Sequence, residues 1–165
     1  MSLIQADRQA TAQNLSAMSL GTYFSLAGLD YVRADVAGRT PAAGHSFALR
    51  LADGRVCQLA EGRPDLQYEG ALFFVAYAGT ATGATISAVT TLADVPVGKF
   101  FDTSVPGTPG VLGMRVEVRD ENGVPIQPDA GNAWIVVFSA GVSQVALTTP
   151  VESYGDAGAT AYKVQ

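Results

Sequence analysis

The sequence predicts an all-β fold, namely an antiparallel β-sandwich, with the jelly roll as one form that such a sandwich can take. Roughly eight to ten short runs of apolar and β-branched residues recur at the spacing typical of these folds. Clusters of Gly, Pro, Asn and Asp separate the runs. After residue 20 the chain shows little helical periodicity, so strands are expected to form almost the whole body.

The chain is predicted to form one domain preceded by a short arm. Its 165 residues suffice for a single hydrophobic core. Residues 1–20 are assigned to an N-terminal arm, helical or extended, and residues 21–165 to the β-sandwich domain. Between Ala6 and Leu20 no Pro or Gly occurs, but Leu15 and Met18 are the only apolar members of the helical stripe. Two interpretations stay open: an end that frays or packs on its own domain, or an arm that orders against a neighbouring subunit.

The body begins with two predicted hairpins. In TYFSLAGLDYV two short strands are separated by a break at Gly28, and AGRTPAAGH is predicted to be a loop. In FALRLADGRVCQL, from Phe47 to Leu59, a three-residue loop of Ala52, Asp53 and Gly54 is expected, with Gly54 in the left-handed region. That loop sets Leu51 opposite Arg55, Leu49 opposite Cys57 and Phe47 opposite Leu59.

A similar turn is predicted in MRVEVRDENGVPI, from Met114 to Ile126. A loop of Glu121, Asn122 and Gly123 sets Val118 opposite Ile126 and Val116 opposite Pro128. Pro125 and Pro128 lack amide donors. The strand after this turn is therefore expected to be brief or to lie at a sheet edge.

The remaining runs predict further strands, of which NAWIVVF should be central because it is among the most apolar. FFDTSVPGTPGVLG, with its Pro and Gly residues, is predicted to be an irregular connection. Adjacent Phe73 and Phe74 must point to opposite faces of their strand, which predicts that another element or another subunit covers the second face. The other predicted strands are Ala71–Ala78, Thr85–Leu92, Ala133–Ala140, Val142–Thr148 and Ala159–Val164.

Composition argues against several classes of partner. Only 15% of the residues are charged, below the roughly 25% of typical soluble proteins, and the net charge is -5. Lys99 and Lys163 are the only lysines, which argues against binding nucleic acid or anionic lipid. The N-terminus lacks the apolar core of a signal peptide and ALFFVAYAG is too short to span a bilayer. We therefore expect a soluble protein synthesised in the cytoplasm, with no membrane partner.

No residue pattern predicts a catalytic centre, a cofactor or a metal site. His45 is the only histidine and Cys57 the only cysteine, so a multi-His site, a cysteine zinc cluster and an intrachain disulfide are excluded. The sequence contains no GxSxG nucleophile motif and no DxDxDG calcium loop. Asp120 and Glu121 are attributed to turn chemistry, and Glu117 is placed on the solvent face. The protein is accordingly predicted not to be an enzyme.

The sequence is rich in Ala, Gly, Thr and Val and has short predicted hairpins. In this general character it resembles bacteriophage virion proteins, particularly head-decoration proteins and small tail or fibre subunits. The resemblance covers general character over the whole chain and includes no family motif. It implies a symmetric homo-oligomer, often a trimer, bound to other virion proteins in a larger shell or tube.

The leading functional hypothesis is a non-enzymatic structural protein of a virion, a capsid decoration or tail component that binds neighbouring subunits. Its contacts are expected in the arm and in the Val105–Gly113 loop, at Leu15, Met18, Phe74, Pro106 and Pro109. The alternative is a carbohydrate- or receptor-binding module whose ligand contacts lie around Tyr68, Trp134 or Tyr154. A third hypothesis is an enzyme with an unrecognised carboxylate site.

Overall fold

The computed structural model describes residues 5–6, 15–61, 68–73, 86–105, 108–137, 141–154 and 163–164. The fold is all-β, which confirms the predicted class, and the described residues outside strands include two single-turn 3-10 segments, Leu15–Ala17 and Leu92–Asp94. The strands are β1 (Gln5–Ala6), β2 (Thr22–Leu26), β3 (Leu29–Arg33), β4 (His45–Arg50), β5 (Arg55–Ala60), β6 (Tyr68–Phe73), β7 (Ile86–Thr91), β8 (Phe100–Val105), β9 (Thr108–Val118), β10 (Asn132–Val137), β11 (Gly141–Ala146), β12 (Pro150–Tyr154) and β13 (Lys163–Val164).

The strands pair in the order β13-β1-β6-β2-β3-β4-β5-β9-β8-β12-β7, and β10 joins β9 to β11. Most neighbours are antiparallel, as predicted, but β1 with β13 and β5 with β9 are parallel. The ladder is continuous through β9, so it does not separate the two sheets of a sandwich. Strand β9 connects the strands before it in this order to those after it. It is the longest described strand and pairs with β8, β10 and β5 along its length.

Six of these strands close into a ring. Strands β3, β4, β5, β9, β10 and β11 pair in that order. The chain leaving β3 then returns to β11 through a parallel bridge between Val36 and Val142. Two backbone hydrogen bonds of 2.8 Å hold this bridge, from Ala37 N to Val142 O and from Val142 N to Asp35 O. Side chains that alternate toward the interior of the ring are removed from water on all sides.

The ring encloses the central core, and two smaller clusters lie on its outside. Leu15 and Met18 cover one outer cluster, in which the rings of Phe24 and Tyr31 stack with centroids 5.4 Å apart. The other outer cluster lies beneath the Leu92–Asp94 turn and is formed by Leu92, Val95, Phe101, Ala133, Ile135 and Val151. The central core consists of Val32, Ala34, Val36, Phe47, Leu49, Leu51, Val56, Phe100, Met114, Val116, Val118, Trp134, Val136 and Val142.

The hairpin of β4 and β5 differs from its predicted register by one residue. Gly54 is left-handed, with φ of +71°, as predicted. However, Leu49 lies opposite Val56, and Arg50 lies opposite Arg55, so the loop has four residues instead of three. Leu51 lies in this loop, where its N–H donates to Asp30 O at 3.0 Å and its side chain is buried in the central core.

The second hairpin confirms its prediction at the turn. Arg119 pairs with Pro125, Val118 O accepts a hydrogen bond from Ile126 N at 2.8 Å, and Gly123 is left-handed at +78°. The returning segment forms only this single bridge, so the expectation of a brief strand is also confirmed. Val116 does not pair with Pro128 as predicted, because Trp134 of β10 occupies that position.

The predicted irregular connection over FFDTSVPGTPGVLG is wrong. Residues 100–105 and 108–118 are strands β8 and β9, which pair with each other. Val105 lies opposite Thr108 in this antiparallel pair. The expected interaction loop Val105–Gly113 is therefore largely sheet.

Several other elements agree with their predictions. Strands β2 and β3 meet at Ala27 and Gly28, β7 lies within its predicted run, and β11 begins one residue before its predicted run. Strand β10 pairs on both sides and its residues 133–136 are buried, which confirms its central position. Strand β6 begins three residues earlier than predicted, at Tyr68, and the continuation of the predicted strand beyond Phe73 lies outside the described residues.

Candidate interaction surface

Two of the five residues predicted to contact partners are buried in the chain itself. Leu15 is 0% and Met18 5% exposed, and both pack in the outer cluster with Phe24. Packing therefore groups residues 15–18 with the body instead of with a separate arm. Pro109 lies in β9, and Phe74 and Pro106 lie outside the described residues.

A row of alternating charges crosses the outer face of β4, β5 and β9, and we call it the charged row (Arg50, Asp53, Arg55, Glu117, Arg119). Arg50 donates to Asp53 at 2.6 Å, and Arg119 donates to Glu117 at 2.6 Å. Arg55 stands between the two carboxylates, 3.6 Å from Asp53 and 3.9 Å from Glu117. Each carboxylate faces two guanidinium groups, the contact of Arg55 with Glu117 links β5 to β9, and the row keeps one net positive charge.

The charged row shifts the pKa of several groups. Burial desolvates the Asp53 carboxylate, but hydrogen bonds from Arg50 and from the Arg55 amide, together with both positive charges, outweigh this and lower its pKa. The hydrogen bond to Asp53 raises the pKa of Arg50. Desolvation raises the pKa of the half-buried Cys57 thiol. Cys57 is therefore held as the neutral thiol, which is the weaker nucleophile.

Arg115 holds the turn that precedes β8. Its Nη1 donates to Val95 O at 2.8 Å and lies 3.4 Å from the carbonyl oxygens of Leu92 and Ala93. Desolvation by burial lowers its pKa. The guanidinium thus satisfies carbonyl groups at the end of a 3-10 turn, a structural role for a partly buried cation.

A groove runs beside the outer side of β9, between the turn at Val97 and the returning segment after Gly123. The cavity in it measures about 230 Å³. Val97 is 41% exposed at one side, and Val124, 55% exposed, precedes the lining residue Pro125 at the other. The groove is lined by Val97, Arg115, Val116, Glu117, Pro125, Ile126, Gln127, Pro128, Asn132, Ala133 and Trp134.

The structure gives Trp134 a role in packing. Its side chain is 3% exposed, and its indole N–H donates to Ile126 O at 2.9 Å. A stacking platform for a sugar needs an exposed ring face, which this indole does not offer. The other two aromatic residues of the alternative hypothesis, Tyr68 and Tyr154, stand at the start of β6 and the end of β12.

The remaining polar side chains considered from the sequence have local partners. The Nδ1 of His45 lies 3.0 Å from Ala43 O. The Asp120 carboxylate accepts backbone hydrogen bonds from Asn122 and Val124, as turn chemistry predicts. Among the described residues, no three His, Cys, Asp or Glu side chains are grouped as a metal site, and no helix there has the length and apolar character needed to cross a membrane.

No protein-family model, no curated protein and no solved structure matches this chain.

Sequence reasoning missed the groove, because its walls come from four separate segments. Part of the charged row could be predicted from the sequence. Glu117 and Arg119 of the row, together with Arg115, alternate with apolar residues in a strand, which places all three on one face. The position of Arg55 beside them required the parallel pairing of β5 with β9.

Proposed function

We propose that this protein is a non-enzymatic structural component of a virion that acts by contacting neighbouring subunits, including copies of itself. The observation that carries the proposal is how polar and apolar side chains are distributed. The described arginines of the charged row are paired within the chain, whereas large apolar side chains stand exposed outside the strands or at their ends. These exposed side chains are Leu20, Leu29, Val97 and Val124.

The low density of free charge favours contact with other protein. Removing an unpaired charge from water costs free energy, and the cores of protein interfaces are depleted of charged residues. In the charged row, Asp53 and Glu117 offset two of the three arginine charges. A partner that covers this face would have to compensate only one net positive charge.

The groove is the proposed contact region of the body. Exposed Val97 lines it, exposed Val124 directly precedes the lining residue Pro125, and Pro125 and Pro128 line it without offering backbone N–H donors. Exposed apolar side chains around a concave surface are typical of interaction sites. A protruding apolar side chain of a neighbouring subunit would bury surface on both sides of the groove.

Self-association is tested by light scattering during size-exclusion chromatography over a range of concentrations. We expect a defined oligomer whose population rises with concentration. Replacing both Val97 and Val124 by Ser should weaken association about tenfold or more, since a few buried apolar contacts carry most of the energy of an interface. Ala60→Ser, at an exposed residue of β5 outside the groove, is the control. A wild-type protein that stays monomeric at every concentration would contradict self-assembly.

Incorporation into particles is tested separately. Virus particles from the source cells are separated on density gradients, and the protein is followed with an antibody. Co-sedimentation of the chain with particles is expected, and its complete absence from particle fractions would contradict the virion assignment.

The contribution of the N-terminal residues is measured with a truncation that stops at residue 14. Removal of residues 1–20 would also delete Leu15 and Met18 from the core. We expect the shorter truncation to remain folded and to lose incorporation into particles. Full incorporation of the truncated, folded protein would contradict a role for this segment. A glycan array on the intact protein addresses the alternative, since specific glycan binding would favour a carbohydrate-binding module.

A further inference from the structure

We propose that Asn122 is a site of spontaneous deamidation and isoaspartate formation, and that Asp120 slows this reaction in the folded protein. Asn122 and Gly123 are both exposed at the tip of the hairpin that follows β9. Gly123 has φ of +78°, and apart from the glycine and its two chain neighbours no atom lies within 4 Å of the position that a Cβ would occupy. The residue after Asn122 therefore has no side chain that would hinder attack of its nitrogen on the Asn122 side chain.

The reaction needs only the chain and water. The backbone nitrogen of Gly123 loses its proton and attacks Cγ of the Asn122 side chain. A new C–N bond closes a five-membered succinimide, and the side-chain nitrogen takes up a proton and leaves as ammonia. Water then adds to one of the two succinimide carbonyls and opens the ring. Opening at one carbonyl yields aspartate, and opening at the other yields isoaspartate, in which the main chain gains one methylene.

Asp120 holds the reacting amide in place. Gly123 N–H donates to Asp120 O at 3.0 Å. The Asp120 carboxylate accepts the N–H groups of Asn122 at 2.8 Å and Val124 at 2.9 Å, and Asp120 N donates to Val124 O. The Gly123 nitrogen can attack only after its own hydrogen bond breaks and the chain rotates at Asn122. Asp120 is thus a positioning residue, and its bonds to the turn oppose that rotation.

The product would change the surface of the protein. A new negative charge would appear beside Arg119, whose Nη1 donates to Gly123 O at 2.9 Å. In the isoaspartate form the additional methylene would lengthen the loop that sets Val118 opposite Ile126. Val124 and Pro125, at one side of the groove, directly follow the altered residue. This chemistry goes beyond the proposed function and occurs whether or not the protein assembles.

The first experiment compares the folded and the urea-unfolded protein at mildly alkaline pH. Peptide mass mapping follows Asn122, and an isoaspartate methyltransferase assay measures the rearranged product. We expect Asn122 to react more than about tenfold faster in the unfolded chain, where the hydrogen bonds of the turn are absent. Asn132 is the internal control, because the side chain of Ala133 hinders attack there. Equal rates at Asn122 and Asn132 in the unfolded chain would overturn the site.

The second experiment tests Asp120 in the folded protein. Asp120→Ala should accelerate deamidation of Asn122 about tenfold, which corresponds to about 1.4 kcal/mol. Asp129→Ala, at an exposed carboxylate in the next loop, should leave the rate unchanged. Gly123→Ala should slow the reaction in folded and unfolded chains alike. Circular dichroism verifies the fold of each variant, and if Asp120→Ala unfolds, the comparison of folded with unfolded wild-type protein decides. Equal rates in wild type and a folded Asp120→Ala variant would overturn the protective role.

Discussion

The hairpin of β4 and β5 and the hairpin after β9 have similar turn sequences but different surroundings. Each turn contains an acidic residue and ends in a left-handed glycine, Gly54 at +71° or Gly123 at +78°. A Cβ on Gly54 would lie 2.6 Å from Gly98 Cα, whereas a Cβ on Gly123 would meet nothing within 4 Å. The first turn is packed against another turn and the core, and the second projects into solvent.

Only one of the two registers follows local turn chemistry. At the exposed turn the loop closes with the predicted three residues. At the packed turn Leu51 N donates to Asp30 O, the side chain of Leu51 is buried in the central core, and the loop has four residues. The turn residues therefore predicted the register at the turn that projects into solvent and not at the turn that packs on other parts of the chain.

The largest expected effect comes from adding one methyl group to each glycine. Gly54→Ala should lower the free energy of unfolding by about 4 kcal/mol, since it combines a left-handed backbone with overlap on Gly98. Gly123→Ala should cost about 1 kcal/mol, from the left-handed backbone alone. Urea denaturation of both variants measures the difference. Equal losses would show that the contact between Gly54 and Gly98 is not tight.

A second comparison removes apolar side chains near the same turns. Leu51→Ala should lower stability by about 3 kcal/mol, because the side chain is 1% exposed and its removal leaves a cavity. Val124→Ala, at a side chain that is 55% exposed, should change stability by less than about 0.5 kcal/mol. Thermal or urea unfolding tests this pair. A small effect of Leu51→Ala would contradict the tight packing of this side chain in the central core.

Lowering the pH should reduce the free energy of unfolding by protonating Asp53 in the packed turn. Its lowered folded-state pKa means that its contribution to stability is present above the ordinary aspartate pKa of about 3.9 and is lost as the pH falls through the lower folded value. The ion pair is partly exposed, so Asp53→Asn should cost below about 1 kcal/mol at neutral pH. Urea unfolding between about pH 6 and pH 2 should show a shallower acid loss for Asp53→Asn. Parallel profiles would contradict this contribution.

The smallest effect is expected at a third turn, between β2 and β3. Ala27 has φ of +52° and is followed by left-handed Gly28. Turns with two left-handed residues favour Asn-Gly, so Ala27→Asn should raise the free energy of unfolding by about 0.5 kcal/mol. A stability loss in urea denaturation would mean that Ala27 is held in this conformation by contacts that Asn disrupts.

The strands themselves were largely predictable, and their long-range partners were not. The apolar run at residues 132–137 indicated a central strand, and the residues of the turn at Gly123 predicted its three-residue loop. The parallel pairing of β5 with β9 and the bridge between Val36 and Val142 join segments far apart in the chain. A local pattern specifies which residues avoid water without specifying the residues against which they pack.

The candidate site was less predictable than the fold. The groove combines Val97, Arg115, Pro125 and Trp134, which come from separate segments. Leu15 and Met18 are apolar in a polar stretch, a pattern compatible with a partner contact or with the core of the same chain. The structure places them beside Phe24, in a cluster that the sequence does not identify.

By itself, the sequence determined the all-β class, the low surface charge, the exposed turn at Gly123 and the brevity of the strand that follows it. These properties depend on composition and on residues close together in the chain, whose backbone preferences act locally. Only the tertiary structure decided the closed ring, the register at Leu51, the burial of Leu15 and Met18, and the groove beside β9. Each of these depends on which distant apolar surfaces meet, because hydrophobic burial is non-directional and many pairings satisfy the same local pattern.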